Sequence, residues 1–383
     1  MTGLRSRLLL ALALLLIALS GLATWWFLRA PAEEKLRLDA VAFADLPGWS
    51  ENNPSAALAA FRRSCGKILA LPSGTAMAYA GTAADWRTAC TAAATARDAR
   101  AFFENAFVPY AIGRSDGLVT GYYEALLNGS RTRHGVYQTP VYGLPDDLIS
   151  IDLGLFRPEW KGETIAGRLA GKRLLPYPTR AQIDAAPPAT AKVLFWGDDP
   201  VSVFFLHIQG SGRVWLDDGT ILRVNYAGQN GHPYTAIGRT LIRQYGVPRE
   251  GMSMQVIAAW LKANPSRARP VMESDASFVF FQEVPVGDSA LGPEGSEGVA
   301  LTPRGSVAVD NHIHPFGAPV YIAGDGLANL FVAQDTGGAI RGAPRADIFF
   351  GFGASAQNAA GVLKAQARFY VLLPKGVTPK LAP

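Results

Sequence analysis

Leu330–Gly353, LFVAQDTGGAIRGAPRADIFFGFG, is the stretch whose reading decides the fold. Two apolar runs, Leu330–Ala333 and Ile348–Phe350, have the length of buried strands. A carboxylate stands beside each: Asp335 follows the first run and Asp347 opens the second. Between them Gly337, Gly338 and Gly342 let the backbone turn tightly or approach a ligand closely. An acid at a strand edge beside glycines suits acid catalysis. It suits a structural turn equally, so the rest of the chain must decide.

The chain has 383 residues, enough for two domains, with 49% hydrophobic and 17% charged residues, the balance of a globular protein with a real core. A net charge of +5 suits an anionic partner such as a phospholipid or a cell-wall polymer. No Lys/Arg run concentrates that charge, so nucleic acid is not an expected partner. Arg5 and Arg7 precede the uncharged 21-residue stretch Leu8–Leu28, which Arg29 closes. That length spans a bilayer as a helix, and Trp25, Trp26 and Phe27 form an aromatic belt. An uncleaved signal anchor is favoured over a signal peptide cleaved near Ala23 or Ala30. The basic flank is N-terminal, so the remainder is expected to lie outside the cytoplasm. No Cys lies nearby, so a lipoprotein anchor is excluded. In an exported chain the two cysteines, Cys65 and Cys90, read as a disulfide, the alternative being two buried thiols.

Local pattern predicts helices over Ala56–Leu71, Thr91–Phe107, Thr235–Tyr245, Ser253–Ala263 (Ser253 as N-cap) and Ala359–Gln366. Strands are expected at Leu118–Leu127 (bending at Gly121), Val141–Gly143, Ile149–Leu155, Val201–Gln209 and Phe278–Phe281. Further strands are expected at Ser306–Val309, Pro319–Ala323 and Arg368–Leu373. Asp218-Gly219 between β-rich runs signals a hairpin of Arg213–Asp217 with Thr220–Tyr226. Pro176–Pro188 reads as loop and turn, and the Gly-rich Val286–Ala300 as a linker or long loop. Many short strands with few helices suggest barrels.

Four small motifs compete for attention. Asp335-Thr336-Gly337 resembles an aspartic-protease triplet, but that chemistry needs a second copy to share a proton. Gly351-Phe352-Gly353-Ala354-Ser355-Ala356 lacks the acidic second strand of a dinucleotide site and reads as a strand-to-helix turn. Asp310, His312 and His314 read as a turn rather than a metal cluster. Gln209-Gly210-Ser211-Gly212 lacks the Lys of a phosphate loop.

What remains is polar and aromatic: Thr120, Tyr122, Tyr123 and Glu124 from one strand; Gln209 and Ser211; then Asn225, Tyr226, Asn230 and His232 after the hairpin; then Asp335 and Asp347. Rings that stack and side chains that bond hydroxyls suit a carbohydrate, although a strand Tyr is ordinarily core packing. Val119–Pro145 (VTGYYEALLNGSRTRHGVYQTPVYGLP), His207–Ile242 and Val332–Gly353 resemble, in matching order, the membrane-bound lytic murein transglycosylase A (MltA) family. Two departures are Ala125 where the family has Pro after Gly-Tyr-Tyr-Glu, and Asp275-Ala276-Ser277 where it commonly has Asn-Pro-Ser.

The resemblance implies a mainly β fold with helices: a double-psi β-barrel domain plus a second, inserted β-barrel domain, with a glycan groove between them. It divides the chain into a signal segment (1–30), helices and the first barrel part (31–124), the insert (125–282) and the remaining barrel (283–383). It implies a lytic transglycosylase that cuts the MurNAc-β-1,4-GlcNAc bond of peptidoglycan and leaves a 1,6-anhydroMurNAc end. Asp347 maps to its catalytic acid and Asp335 to its second barrel Asp. Thr120, Tyr122, Tyr123, Glu124, Gln209, Ser211, Asn225, Tyr226, Asn230, Gly337 and Gly338 are expected to bind substrate. No cofactor and no metal are expected; the partners are glycan strands, the membrane through the N-terminal segment, and wall-synthesis proteins. A single acid must hold its proton near neutrality, so Asp347 should have a raised pKa, with Phe349, Phe350 and Asp335 as causes. The rivals are a hydrolase using Asp335 and Asp347 as a pair and a non-catalytic wall-binding module.

Overall fold

Residues 36–113, 115–160 and 163–380 are described by the structure, a computed structural model. The expected signal segment, Leu8–Leu28, lies outside them. Among the described residues no helix is long and apolar enough to cross a membrane.

The first part holds β1 (Leu38–Ala40), α1 (Ser55–Ala70), α2 (Ala83–Thr95), α3 (Ala99–Ala106), β2 (Phe107–Ile112) and β3 (Gly117–Ser130). The middle holds β4 (Thr139–Tyr142), β5 (Ile149–Asp152), β6 (Thr164–Ala170), β7 (Arg173–Pro176), α4 (Arg180–Ala185), β8 (Val193–Gly197), α5 (Pro200–Gln209), β9 (Ser211–Leu216), β10 (Ile221–Gln229), α6 (Gly238–Tyr245), α7 (Met254–Ala263), α8 (Pro265–Glu273) and β11 (Val279–Val284). The last part holds β12 (Ser306–Val309), β13 (Pro319–Gly324), β14 (Leu327–Asp335), β15 (Arg345–Phe352), α9 (Gly353–Val362) and β16 (Lys364–Pro374).

The fold is mainly β with helices, a double-psi β-barrel joined to a second barrel. β3 belongs to both. Its first half pairs with β15 and β16, and the ring β3-β15-β12-β14-β13-β16 closes on itself. Its second half pairs with β9 and β8, and β9-β10-β11 returns to β4 and β8 through a bridge between Gly143 and Phe281. Closure leaves neither ring with an open edge. β3 passes from one ring to the other between Glu124, opposite Phe352, and Ala125, opposite Gly212; just before that, at Gly121, an added Cβ would meet the Phe350 ring at 2.7 Å and the Ala360 backbone at 2.8 Å. Only glycine lets β3 run this close under β15 and α9.

The second barrel packs Leu127, Val141, Phe195, Leu206, Val214, Val224 and Phe281 inside. Helices α1–α3 close over their own aromatic core, with Phe61 at 6.3 Å from Trp86, 5.8 Å from Phe102 and 5.4 Å from Phe107. Cys65 on α1 and Cys90 on α2 form a disulfide. Closing a separation of 25 residues stabilises by about 3 kcal/mol in the loop-entropy model. The Cys65→Ser/Cys90→Ser double variant is therefore expected to unfold about 3 kcal/mol more easily in denaturant titration; an unchanged midpoint would show that the helix packing alone holds this region.

Several expectations are corrected. Val201–Gln209 is helix α5, not a strand. Asp199 caps it by accepting from the Val201 N–H at 3.0 Å, Pro200 opens it, and Gly210 ends it in the left-handed region. Its apolar composition reflects burial on two sides, Val203 and Leu206 in one core and Val201 and Phe204 in another. The long helix expected over Thr91–Phe107 breaks into α2 and α3, because Asp98 starts a new cap on the Ala101 N–H. Phe107 then enters β2, where Pro109 is tolerated. Helix α9 begins at Gly353, earlier than expected, so Lys364–Gln366 are strand. Local pattern missed β1, β2, β6, β7, β8, α4 and α8 altogether.

Candidate active site

Strand β12 has a carboxylate on either side. It pairs in parallel with β14, which sets Asp335 beside Ala308, and antiparallel with β15, which sets Asp347 beside the same Ala308. The two backbones are therefore about 10 Å apart at ordinary strand spacing. On its other side β15 pairs in parallel with β3, with Asp347 opposite Thr120 and Phe349 opposite Tyr122. Two hydroxyls from β3 reach the two acids. Thr120 Oγ1 donates to Asp347 Oδ1 at 2.7 Å, and Tyr122 OH donates to Asp335 Oδ2 at 2.8 Å.

The two acids are held differently. Asp335 Oδ1 also accepts from the Ser296 N–H (3.0 Å), the Ser296 hydroxyl (2.8 Å) and the Thr336 N–H (2.9 Å). Four donors thus converge on its two oxygens, the number a carboxylate can accept. Asp347 has the one bond from Thr120, is partly exposed, and is otherwise enclosed by protein. Its pKa rises from the ordinary 3.8 to about 6. Burial is the main cause, and the Asp335 charge adds to it; the Thr120 hydroxyl and the Arg345 charge oppose the rise. Burial, then the charge and hydrogen bond of Asp335, also push the Tyr122 phenol up, so it stays a donor.

Phe349 contributes to this enclosure. It is fully buried, lies 5.2 Å from the Tyr122 ring, and leaves so little room that a Cβ on Gly292 would meet its ring at 2.3 Å. Phe350 alternates to the other face of β15, where it meets Arg304 and Gly121. Unlike Phe349, it does not share the face of Asp347.

The other expected residues divide in two. Gln209 sits at the end of α5 and accepts from the Tyr123 N–H at 3.0 Å, beside the start of β9. Asn225 is tied to the loop Val286–Ala300 through the Glu294 carbonyl at 2.9 Å. Tyr226 is 47% exposed, and a Cβ on Gly338 would meet nothing, so both leave room for a ligand; a Cβ on Gly337 would touch Ile340 at 3.4 Å. Ser211 is buried at 3% and Tyr123 at 4%, Tyr123 in the second-barrel core.

Glu124 and Asn230 cannot reach a ligand as they stand. Glu124 is wholly buried between Arg213 (2.9 Å) and Arg223 (2.6 Å), because its position in β3 faces outward under the loop Val286–Ala300. Asn230 is spent on the backbone, donating to the Pro178 and Ala276 carbonyls and accepting from the Phe278 N–H. His232 bonds the Tyr177 carbonyl. His314 lies between the Tyr79 hydroxyl and the Ala343 carbonyl, the setting of a buried turn residue. Arg345, Ser296, Arg213 and Arg223 were missed. Arg345 stands two residues before Asp347 on the same strand face, a spacing that could have drawn notice; nothing local marks Ser296.

A cavity of about 590 Å³ lies elsewhere, lined by Leu126, Asn128, Ser202 and Lys262 among others. Its charged pair, Lys262 with Asp199 at 2.9 Å, is already satisfied.

The chain was compared with known proteins. The family model described as the MltA specific insert domain matches residues 118–282, and that described as the 3D domain matches residues 305–373. The membrane-bound lytic murein transglycosylase A of Escherichia coli (strain K12) is 33% identical over 266 residues, covering 66% of this chain and 64% of the relative. The chain thus spans slightly less than two thirds of that relative's length. Among solved structures, a membrane-bound lytic murein transglycosylase from Agrobacterium tumefaciens superposes with TM-score 0.78 at 32% identity, covering 88% of this chain and 98% of that one. MltA from Neisseria gonorrhoeae, in its monoclinic form, superposes with TM-score 0.76 at 33% identity, covering 92% and 96%.

Proposed function

This chain belongs to the membrane-bound lytic murein transglycosylase A family, and on that premise we propose that it cleaves the MurNAc-β-1,4-GlcNAc bond of peptidoglycan with formation of a 1,6-anhydroMurNAc end. The observation that carries the reading is the contrast between the two acids. Asp347 is partly exposed with a pKa of about 6, while Asp335 accepts from four donors, three on Oδ1 and one on Oδ2. One group can hold a proton and release it; the other is arranged to stay an acceptor.

Protonated Asp347 gives its proton to the glycosidic oxygen as the bond to C1 breaks. The Asp347 carboxylate then takes the proton of the sugar's C6 hydroxyl as O6 closes on C1. The proton returns to where it began and no water is consumed. Because the nucleophile is internal, no second carboxylate has to activate a water, as paired-acid glycosidases require. The Asp335 charge adds to the rise that burial gives the Asp347 pKa.

We assign residues 125–282 to the inserted domain and 31–124 with 283–383 to the catalytic barrel, with the glycan strand in the groove between them. We further infer a site of action on the periplasmic side of the membrane of a Gram-negative cell, held there by Leu8–Leu28, beside wall-synthesis proteins. The experiment is mass spectrometry of muropeptides released from whole sacculi by the purified chain, across pH. Anhydro ends are expected, with release falling as pH rises through about 6, because the acid must start protonated. Reducing ends would mean a hydrolase that uses both acids. Binding with no release would mean a wall-binding module.

A further inference from the structure

We propose that Arg345 and Thr120 form a one-way hydrogen-bond relay that confines the acidic proton of Asp347 to Oδ2, so that both are positioning residues and Thr120 is not a glycan contact. The inference rests on the function proposed above. Arg345 Nη2 donates to Thr120 Oγ1 at 2.9 Å, and Thr120 Oγ1 donates to Asp347 Oδ1 at 2.7 Å. A guanidinium has donors only, and a hydroxyl has one proton. Arg345 occupies one of the two lone pairs of Thr120, and the hydroxyl proton goes to Asp347 Oδ1. That oxygen is then an acceptor, and the acid's own proton must sit on Oδ2. Arg345 is itself held by bonds to the Leu118 and Ala346 carbonyls, so it cannot swing away.

The consequence is geometric. The same oxygen, Oδ2, gives the proton to the leaving glycosidic oxygen and recovers it from the C6 hydroxyl, so the carboxyl need not rotate between steps. The relay also favours the carboxylate formed midway. The titratable and charged groups facing Asp347 are Arg345 on its own strand, Tyr122 on β3 and Asp335 on β14. From β12 it meets Ala308, and Lys364, opposite Thr120 on β16, is exposed.

The test uses the Thr120→Val, Thr120→Ser and Arg345→Met variants of the purified chain, with two readouts. The first is the Asp347 carboxyl titration followed by carbon NMR without substrate. The second is kcat and KM for release from sacculi against pH. Losing one bond to a charged oxygen should move the titration upward by about one pH unit in Thr120→Val and Arg345→Met, with kcat down about tenfold or more and KM little changed. Thr120→Ser should restore the wild-type titration. A wild-type titration in Thr120→Val, or a loss confined to KM, overturns the relay. The substrate-free titration does not depend on what the enzyme does, so failure of the proposed function would show in the products and leave this readout standing.

Discussion

Asp347→Asn is expected to cut release of anhydro-muropeptides by at least the ~10²-fold that a lost general acid costs. The amide keeps the shape and still accepts from Thr120, but it carries no transferable proton. The same variant is expected to be more stable near neutrality. The folded pKa of about 6 lies above the ordinary 3.8, so the folded state holds its proton more tightly than the unfolded chain does. The resulting stability is complete below about pH 4 and is lost as pH rises through about 6. By linkage the ionised acid costs up to about 3 kcal/mol at pH 7, and Asn removes that cost. Thermal midpoints of the two proteins should thus diverge between pH 4 and 7, the variant becoming the higher. Retention of more than a tenth of wild-type release would remove Asp347 as the acid. If Asp335→Asn were the inactive variant instead, the two roles would be exchanged.

Glu124→Ala is expected to cost about 3–5 kcal/mol of folding stability, the range for breaking a buried ion pair from one side. Its carboxylate is wholly buried and bonds Arg213 Nε at 2.9 Å and Arg223 Nε at 2.6 Å and Nη2 at 2.8 Å. Both guanidinium groups are themselves buried and would be left without an anion. They also hold the loop Val286–Ala300, Arg213 through the Ser289 and Leu291 carbonyls and Arg223 through those of Val286 and Leu291. That loop delivers Ser296 to Asp335, so lost order here should reach the site. Denaturant unfolding measures the first effect, and Glu124→Gln, which keeps the volume and one acceptor oxygen while setting an NH2 against an arginine, should lose less. A loss under about 1 kcal/mol for Glu124→Ala would mean that the arginines find water or other acceptors.

The cause of the missed reading of Glu124 is the period of a strand. Tyr122, Tyr123 and Glu124 are adjacent in sequence, yet successive side chains take opposite faces. Tyr122 turns to Asp335, Tyr123 into the second-barrel core, and Glu124 toward the arginines. A cluster of polar and aromatic letters shows that something polar is near; it does not say which face each letter takes once β3 changes rings.

What the sequence determined by itself is what short-range chemistry encodes. Ser253 caps α7 by accepting from the Val256 N–H, and Asp218-Gly219 turns β9 into β10. Leu330–Ala333 and Ile348–Phe350 lie within strands, and long motifs in order identified the family. Tertiary structure decided the rest. Whether VSVFFLHIQ is helix or strand depends on what buries it, because an all-apolar run satisfies either period. The partners of the acids come from far along the chain: Thr120 meets Asp347 across 227 residues and Tyr122 meets Asp335 across 213. No local signal carries that register. It exists because β3, β15, β12 and β14 close in one ring, and the enclosure that raises the Asp347 pKa exists only once the ring has closed.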